Sequence, residues 1–543
     1  MDYIAPLLEN LRTVQAKDVS ASVLITSGLW LVWKILTVGR REKGLPPGPP
    51  TVPFLGNVHK FPAKHVAMKF TEWAKQYGAI YSLKISHSTA IVVSDMTVVK
   101  ELMDMRAADT ANRSTVHIGE VVTDGFHMAL SPYGSDVWRI SKKALQSFLA
   151  PQAITSYRPI AYGESTQMLY DVLHSPKDFY THIQRATFSF TTSVVFGWRC
   201  PSYESQELSM FFESVRLWMK LASSETPPID LFPILKYVPE RWASWKTVVK
   251  RTRELQHEIY FRMLGQAEHR LSEGESKGND CFIERCIQNQ ASLGMSREFI
   301  AHLGGVCLEA GSETTSALVL SVLLCLVAYP EEQRKCQEEI DRVIGSSRSP
   351  VVTDYASLPY VQAFVREVHR FRPVAPLGMP HATMKDMEYR GYYIPKGATI
   401  FLNLWGVYHN PDSFDRPEEF LPERYLLSEH GTKPGANGDD FRNSLPFGSG
   451  KRLCPGMHLA NTAAQLHIMN LLWGFKFDPA VDPKTGKSLP VNINIDAYNS
   501  GVTLVPVPFD CTITSRGRDR EDIIEKQFIE VSETFVKFEQ HLK

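Results

Sequence analysis

A glycine-rich loop around a single cysteine restricts the possible folds of this 543-residue chain more than any other stretch. Residues 447–456 carry Cys454 among three glycines, and the apolar stripe that follows predicts a helix over residues 457–473. A sulfur just before a helix N-terminus lies near the positive end of the helix dipole, and Arg452 and Lys451 add positive charge, so we expect a stabilised thiolate. The loop alone leaves three interpretations open: a metal ligand, a nucleophile, and an inert buried cysteine.

Composition excludes several classes of protein. Lys+Arg and Asp+Glu both total 59, so the net charge is zero and no basic field is available to hold nucleic acid. The eight cysteines are too sparse for a disulfide scaffold and include no C-x-x-C pair, which favours a reducing compartment. No G-x-G-x-x-G follows a predicted strand, so a nicotinamide or flavin domain within the chain is not expected.

The order of the residue patterns predicts one large, mainly helical domain with small β-sheets. Alternating residues predict a hairpin over 79–94, helical periodicity dominates from 96 to 372, and strand patterns return at 387–404 and 491–506. The predicted domains are an N-terminal lumenal segment (1–18), a transmembrane anchor (19–38), a basic and proline-rich linker (39–50), a catalytic domain (51–515) and a charged helical tail (516–543).

The anchor prediction rests on the single charge, Lys34, within residues 19–38. As a helix this segment would be about 30 Å long, close to the thickness of a bilayer core. Basic residues follow it, whereas acidic residues outnumber basic ones before it, so the rest of the chain should lie in the cytosol. A cleaved signal peptide and a buried core helix are the alternatives, but the long, mildly acidic N-terminus argues against a signal peptide. The prolines of residues 45–50 should form a stiff spacer that orients the domain on the bilayer.

A complete motif gives the cysteine loop a more specific interpretation. Phe447, Gly450, Arg452, Cys454 and Gly456 fill every fixed position of F-x-x-G-x-R-x-C-x-G, and the loop resembles the haem-binding signature of the cytochrome P-450 family. With the motifs below, the resemblance covers roughly residues 45–515. It implies a haem b cofactor with Cys454 as the axial thiolate on the iron, a ligand that favours O–O cleavage.

One long apolar helix is predicted over residues 296–328, with Ser296 as its N-cap and Pro330 after its end. Gly304 and Gly305 lie inside it, where each costs about 1 kcal/mol relative to alanine, and close helix packing is the simplest explanation for them.

The middle of this helix, Ala310-Gly311-Ser312-Glu313-Thr314-Thr315, resembles the oxygen-binding motif of the same family. The resemblance implies that the small residues Ala310 and Gly311 leave room for the cofactor and O2. Thr314 can hydrogen-bond to the carbonyl oxygen four residues earlier, and Glu313 can relay protons from solvent. Glu313 and Thr314 are therefore the candidate catalytic residues.

Two further motifs imply structural ion pairs. Glu367 and Arg370 share a helix face and match the family's E-x-x-R, while Pro422-Glu423-Arg424-Tyr425 resembles P-E-R-F with Tyr425 in place of phenylalanine. The resemblance implies that Glu367, Arg370 and Arg424 form a network behind the cysteine loop.

Haem propionates need cationic partners. Trp138 and Lys142 resemble the family's W-x-x-x-R segment, with lysine where arginine is usual, so bidentate pairing at this position is in doubt. His381, after the E-x-x-R helix, and Arg452 are the other propionate donors that the resemblance implies. The tripeptide Asn112-Arg113-Ser114 matches the glycosylation pattern, but it should stay bare in a cytosolic domain.

The resemblance implies a membrane-anchored haem monooxygenase that takes electrons from NADPH through a separate reductase and inserts one oxygen atom of O2 into a lipophilic small molecule. We expect a single-pass protein of the endoplasmic reticulum, in fungal secondary metabolism of terpenoids or polyketides, with reductase docking on Arg139, Lys142, Lys143 and Lys451. A haem-thiolate isomerase or dehydratase and a haem sensor without turnover are the alternatives.

By resemblance the substrate pocket should be apolar and lined by Phe126, Met128, Val306, Ala310, Val374, Ala375 and Leu377.

Overall fold

The computed structural model describes residues 22–30, 33, 37–114, 116–223, 226–230, 232–274 and 281–539. The predicted lumenal segment and part of the predicted anchor lie outside the described residues. The α-helices are α1 (Val66–Tyr77), α2 (Met96–Val99), α3 (Ala107–Thr110), α4 (His117–Thr123), α5 (Asp136–Phe148), α6 (Pro151–Ser156), α7 (Arg158–His174), α8 (Phe179–Phe196), α9 (Gln206–Leu221), α10 (Ser244–Ser272), α11 (Phe282–Gln288), α12 (Gln290–Leu293), α13 (Arg297–Ala328), α14 (Pro330–Val343), α15 (Pro359–Phe371), α16 (Leu404–Tyr408), α17 (Arg424–Leu427), α18 (Met457–Gly474) and α19 (Arg518–Glu539).

The strands are short and form three sheets. They are β1 (Ile80–Ile85), β2 (Ser88–Val93), β3 (His381–Ala382), β4 (Met387–Tyr389), β5 (Tyr392–Ile394), β6 (Thr399–Leu402), β7 (Phe475–Pro479) and β8 (Cys511–Ser515). The largest sheet has the order β1-β2-β6-β3, in which only the β2–β6 pair is parallel, and β4–β5 and β7–β8 are antiparallel ribbons. The predicted mainly helical domain with small sheets is confirmed.

The long helix α13 is the centre of the helical core. The Ser296 side chain accepts a hydrogen bond from the Phe299 amide at 3.1 Å, so the predicted N-cap is confirmed. The helix packs against α8, α10 and α18, and its second half is buried almost completely. A Cβ on Gly304 would lie 2.5 Å from the Phe196 ring, and one on Gly305 would lie 2.3 Å from the Tyr260 ring. These glycines therefore serve close helix packing, as expected.

Strands predicted over residues 491–506 do not form. That stretch contains a 3-10 turn, Ile495–Ala497, and one isolated bridge between Tyr498 and Pro506. Its asparagine side chains bond to the local main chain instead, as when Asn499 Oδ1 accepts from the Val505 amide at 2.7 Å.

The charged segment near the C-terminus forms α19, which lies against α7. A Cβ on Gly163 of α7 would lie 2.6 Å from the Phe535 ring, so this glycine admits the tail helix. Arg199 pairs with both Glu539 of the tail and Glu164, and Arg185 donates to the buried Glu164 at 2.6 Å. Asp171 also pairs with Arg185 at 3.2 Å, so the tail adds a further carboxylate to this buried pair of guanidinium groups and is part of the folded domain.

The proline-rich stretch lies on the domain surface and is fixed there. Arg41 donates from Nη1 to the Pro46 carbonyl oxygen at 3.1 Å and from Nη2 to the Pro49 carbonyl oxygen at 3.0 Å. The Ser82 amide of β1 donates to the Pro47 carbonyl oxygen at 2.8 Å. These hydrogen bonds fix the orientation of the proline-rich segment relative to β1.

Candidate active site

The cysteine loop has a geometry that requires glycine. Gly450 has a φ angle of 60°, and a Cβ there would lie 2.0 Å from the Met103 carbonyl oxygen. The Gly450 amide donates to Asp104 Oδ1 at 2.9 Å, which joins the loop to a π-helical turn. The Cys454 amide donates to the Phe447 carbonyl oxygen at 2.9 Å, so the loop closes on itself just before α18.

The Cys454 side chain is partly buried. Burial raises the pKa of its thiol, although hydrogen bonds from the Gly456 and Met457 amides act in the opposite direction. Arg452 donates to the Ala111 and Ser131 carbonyl oxygens of two other segments, and Lys451 lies exposed over an aromatic ring. The expectation that local positive charge stabilises the free thiolate is therefore wrong. A bound metal ion would deprotonate this thiol outright.

Three basic side chains gather beside the loop, of which two are buried and Arg452 is partly buried. Arg452 Nε donates to the Ala111 carbonyl oxygen at 2.8 Å, and His381 Nδ1 lies 2.9 Å from the Thr110 carbonyl oxygen. The third is Arg113, which the sequence suggested only as part of a glycosylation pattern. Its Nη1 donates to two main-chain carbonyl oxygens, each at 2.7 Å.

This cluster lacks negative charge. Burial lowers the pKa of Arg113 to about 9, that of Arg452 to about 10 and that of His381 to about 3, and the other cations add to the effect on Arg113 and His381. Within the described part of the chain, no carboxylate pairs with any of the three. His381 is therefore neutral, and the two guanidinium groups lack counter-charge, which a dianionic ligand would supply while also favouring protonation of His381. The two propionates of haem b carry that charge, so the residues present fit this cofactor.

Trp138 and Lys142 lie one turn apart on α5. The Trp138 ring is buried, with its centroid 5.5 Å from the Arg452 guanidinium carbon. Lys142 is exposed, with Nζ 4.9 Å from the same indole ring. The structure brings Trp138 to the cationic cluster, and a propionate contact from Lys142 stays a prediction.

One face of α13 opens to an interior space. Ala310 is exposed, and Val306 and Thr314, four residues from it in each direction on the same face, are partly buried, whereas Leu308 and Ser312 are buried. Thr314 Oγ1 donates to the Ala310 carbonyl oxygen at 2.6 Å, which is the expected bond. The expectation for Gly311 is wrong, because a Cβ there would lie 2.9 Å from Thr191 Cγ2, and its small size serves packing against α8.

Glu313 is buried rather than open to solvent. Its Oε1 accepts a hydrogen bond from Thr503 Oγ1 at 2.7 Å. Burial raises the pKa of Glu313 to about 7, although the Thr503 hydroxyl acts in the opposite direction. The carboxyl group can therefore gain and lose a proton near neutral pH. Thr503 carries no sequence signal that would have marked it as a partner.

A polar cluster lies beside the predicted apolar pocket. Glu309, next to Ala310, accepts hydrogen bonds from Gln256 Nε2 at 2.6 Å and from the Tyr260 hydroxyl at 2.7 Å. His127 Nε2 lies 3.6 Å from Glu309 Oε2. The pocket prediction missed this carboxylate because it considered only the apolar residues. The other predicted pocket residues, all partly buried, are Phe126, Met128, Val374, Ala375 and Leu377.

The predicted structural network is assembled and buried. Glu367 accepts two hydrogen bonds of 2.8 Å from Arg370, and Arg424 Nε lies 3.2 Å from the same carboxylate. Next to Arg370, the His369 ring centroid is 6.2 Å from that of Phe447. The network therefore lies directly behind the cysteine loop.

Comparison with known proteins gives a consistent result. The family model described as cytochrome P450 matches residues 46–496. A cytochrome P450 monooxygenase of Armillaria gallica is 38% identical over 511 residues, 94% of this chain and 96% of the relative. One of Penicillium expansum is 34% identical over 518 residues, 95% and 97% of the two chains. A solved zebrafish cytochrome P450 structure with abiraterone has a TM-score of 0.66 at 24% identity and covers 83% of this chain and 99% of its own.

The Glu367 network yields a prediction about stability. Glu367→Gln leaves Arg370 and Arg424 buried with a neutral partner, so the free energy of unfolding should fall by about 3–5 kcal/mol. The matched control is Glu331→Gln, which removes the exposed ion pair with Arg334 and should cost at most about 1 kcal/mol. Denaturant titration measures both, and equal losses would show that the network is not the stabilising unit.

Proposed function

The chain belongs to the cytochrome P450 family of haem-thiolate monooxygenases, and we propose how its own residues serve this reaction, which substrates it takes and where it works. When bound, haem b supplies the chemistry that places one oxygen atom of O2 in the substrate and releases the other as water. The observation that carries the proposal is the partly buried Cys454 sulfur near the basic cluster of Arg113, Arg452 and His381, which has no carboxylate partner among the described residues.

Cys454 is the proposed axial ligand. The amides of Gly456 and Met457 donate to its sulfur, so they would hold the thiolate in place and moderate its basicity. Arg113, Arg452 and His381 would hold the two propionates, while Trp138 covers Arg452. The Glu367 network would keep the loop rigid behind the sulfur.

Proton delivery is the proposed role of Glu313 and Thr314. Glu313 has a pKa of about 7, so a useful fraction is protonated under ordinary conditions. Thr503 holds its carboxyl group, and Thr314 on the same helix turns its hydroxyl to the Ala310 carbonyl oxygen. A proton would move from Glu313 toward the open face of α13 beside Thr314.

The proposed substrate is a lipophilic small molecule with one polar group. Apolar side chains such as Phe126 and Val306 support the lipophilic part. The carboxylate of Glu309 with His127 supports a hydrogen-bonding group at one end. The fungal origin of the relatives supports a terpenoid or polyketide substrate in secondary metabolism.

The alternatives named in the sequence analysis have less support. An isomerase or dehydratase of this family needs no proton relay, whereas this chain has a buried carboxyl group with a pKa near neutral. A haem sensor without turnover is not favoured by relatives that are named monooxygenases.

Electrons would come from a separate NADPH-dependent reductase. Lys142, Lys143 and Lys451 are exposed on the side where α5 meets the cysteine loop, and Lys451 lies 5.3 Å from the Tyr133 ring centroid. Arg139 contributes less than expected, because it pairs with Asp136 on the same helix. An acidic reductase surface would dock there.

A membrane position in the endoplasmic reticulum is supported by an exposed apolar surface. The described residues 22–30 are helical and exposed throughout. A second exposed apolar surface is formed by Phe54, whose ring centroid is 5.2 Å from that of Phe232, and by the segment after Phe232, where Tyr237 is 83% exposed and Trp242 71% exposed. Among the described residues, the single helix long and apolar enough to span a membrane is α13, which is mostly buried in the core.

The first prediction from the proposed function tests whether Cys454 is the ligand of the haem iron. Cys454→Ser should abolish the red-shifted carbon-monoxide band of the reduced protein, because an oxygen ligand donates less electron density to iron than a thiolate does. Cys511→Ser, a partly buried cysteine on β8, is the matched control and should keep the band. A normal band in the Cys454 variant would disprove the assignment.

The second tests proton delivery. The ratio of product to NADPH consumed should fall as the pH rises through about 7, because Glu313 then loses its proton. Glu313→Gln, whose amide cannot relay a proton, should give a low ratio of product to NADPH consumed at every pH. Thr503→Val removes a hydrogen bond that stabilises the carboxylate, so the midpoint of the fall should move to higher pH. A ratio independent of pH in the wild type, with no shift in the Thr503 variant, would contradict the relay.

The third tests reductase docking. Lys143→Glu with Lys451→Glu should slow reductase-driven turnover, most strongly at low salt, while turnover driven by hydrogen peroxide survives. Lys484→Glu with Lys487→Glu makes the same charge change at two other exposed lysines and should leave both routes unchanged. Equal losses by the reductase and peroxide routes would mean damage to the haem site and would end the docking proposal.

The fourth tests membrane position. Asn112 is a poor reporter, because its side chain accepts from the Tyr133 amide at 2.9 Å and is partly buried, so the fold as well as the topology would keep this asparagine bare. An environment-sensitive label at Tyr237→Cys should instead report an apolar setting in bilayers. The same label at Leu427→Cys, which is 88% exposed, should report water. Identical spectra would refute the proposed contact.

A further inference from the structure

Three metal-binding side chains meet where three separate elements touch. Asp124 follows α4, His257 lies on α10 and His302 lies on α13. One potential ligand atom of each lies within 4.8 Å of those of the other two. Asp124 Oδ2 is 3.1 Å from His257 Nε2 and 3.5 Å from His302 Nε2.

The spacing is close to what a tetrahedral ion requires. With bonds of about 2.0–2.1 Å, two ligands of a tetrahedral zinc ion lie about 3.3 Å apart. Small rotations of Asp124 and His257, whose side chains are about one-third exposed, would bring all three ligand atoms to this distance. Two imidazole nitrogens with one carboxylate oxygen suit zinc, whereas calcium and magnesium prefer oxygen ligands alone.

His302 gives an independent reason to expect a ligand. Its side chain is only 2% exposed, and its Nε2, which faces Asp124 and His257, makes no hydrogen bond among the described residues. This buried ring nitrogen lies 3.5 Å from Asp124 Oδ2, too far for a good hydrogen bond, and a metal ion bound by both groups would satisfy it. The ring also lies 5.8 Å from the Phe126 ring, between centroids, so it is fixed by packing.

One nearby cation opposes metal binding. Arg253 Nη2 lies 2.8 Å from Asp124 Oδ1 and donates to Oδ2 at 3.0 Å. Its side chain is 41% exposed and can swing into solvent. Arg253 and a metal ion would therefore compete for the same carboxylate.

We propose that Asp124, His257 and His302 form a binding site for a divalent transition-metal ion of the zinc type, with water as the fourth ligand. Because Asp124 precedes Phe126 by two residues, the ion would tie the segment 117–130 to α10 and α13. This segment carries part of the proposed pocket wall. The site uses none of the haem-binding residues, so it stands or falls independently of the proposed function.

The test is a zinc titration of the solubilised, haem-loaded full chain by calorimetry. The wild type should show one saturable site. Asp124→Asn and His257→Gln should each weaken it by about tenfold or more, since even partners outside the coordination shell contribute 10–100-fold. His302 stays intact in these variants, because replacing a buried ring disturbs helix packing by itself.

Two further variants make the test specific. His269→Gln changes an exposed histidine on α10, the helix that carries His257, and should leave zinc affinity unchanged. Arg253→Gln should tighten zinc binding, a gain that misfolding cannot produce. Zinc should also slow amide hydrogen exchange over 117–130 in the wild type but not in Asp124→Asn. The proposal is overturned if the wild type has no saturable site, or if Asp124→Asn and His257→Gln bind zinc as well as His269→Gln does.

Discussion

The charge imbalance beside the cysteine loop is the constraint on which the rest of the site depends. In the helical core, buried guanidinium groups have carboxylates: Arg185 and Arg199 share Glu164, and Arg270 pairs with Glu284 at 2.8 Å. Arg113, Arg452 and His381 have main-chain carbonyl oxygens in place of carboxylates. Arg372 is also buried without an ion pair among the described residues, but it is a single cation enclosed by aromatic rings. Two neighbouring guanidinium groups beside a neutral histidine need an anionic ligand, and the propionates of haem supply it.

Much of the site could be predicted from the sequence because its motifs encode local geometry. The positive φ at Gly450, the cap at Ser296 and the Thr314 bond to a carbonyl oxygen four residues earlier follow from residue type and spacing. Side chains that join distant segments could not be predicted in this way. Arg113 and Thr503 acquire their partners only through the tertiary fold, and nothing in their sequence neighbourhoods marks them.

Two of the failed expectations have one physical origin. A glycine in a motif was assigned to cofactor space, yet Gly311 packs against Thr191. Positive charge near Cys454 in the sequence was assigned to the sulfur, yet Arg452 reaches Ala111. Neighbours along a chain do not reveal where a side chain points, because a helix or loop turns successive residues to different partners.

Three contacts link the proposed membrane surface to the pocket. Phe54 follows the fixed proline spacer in the chain, its amide donates to the Val38 carbonyl oxygen at 2.7 Å, and its ring meets Phe232. In the same loop Asp230 accepts from the His117 amide at 2.9 Å, at the start of α4. The segment that begins there carries both Asp124 and the pocket residue Phe126. In the proposed arrangement a lipophilic substrate would pass from the bilayer to this segment without crossing water, and a metal ion on Asp124 would hold the same segment closed.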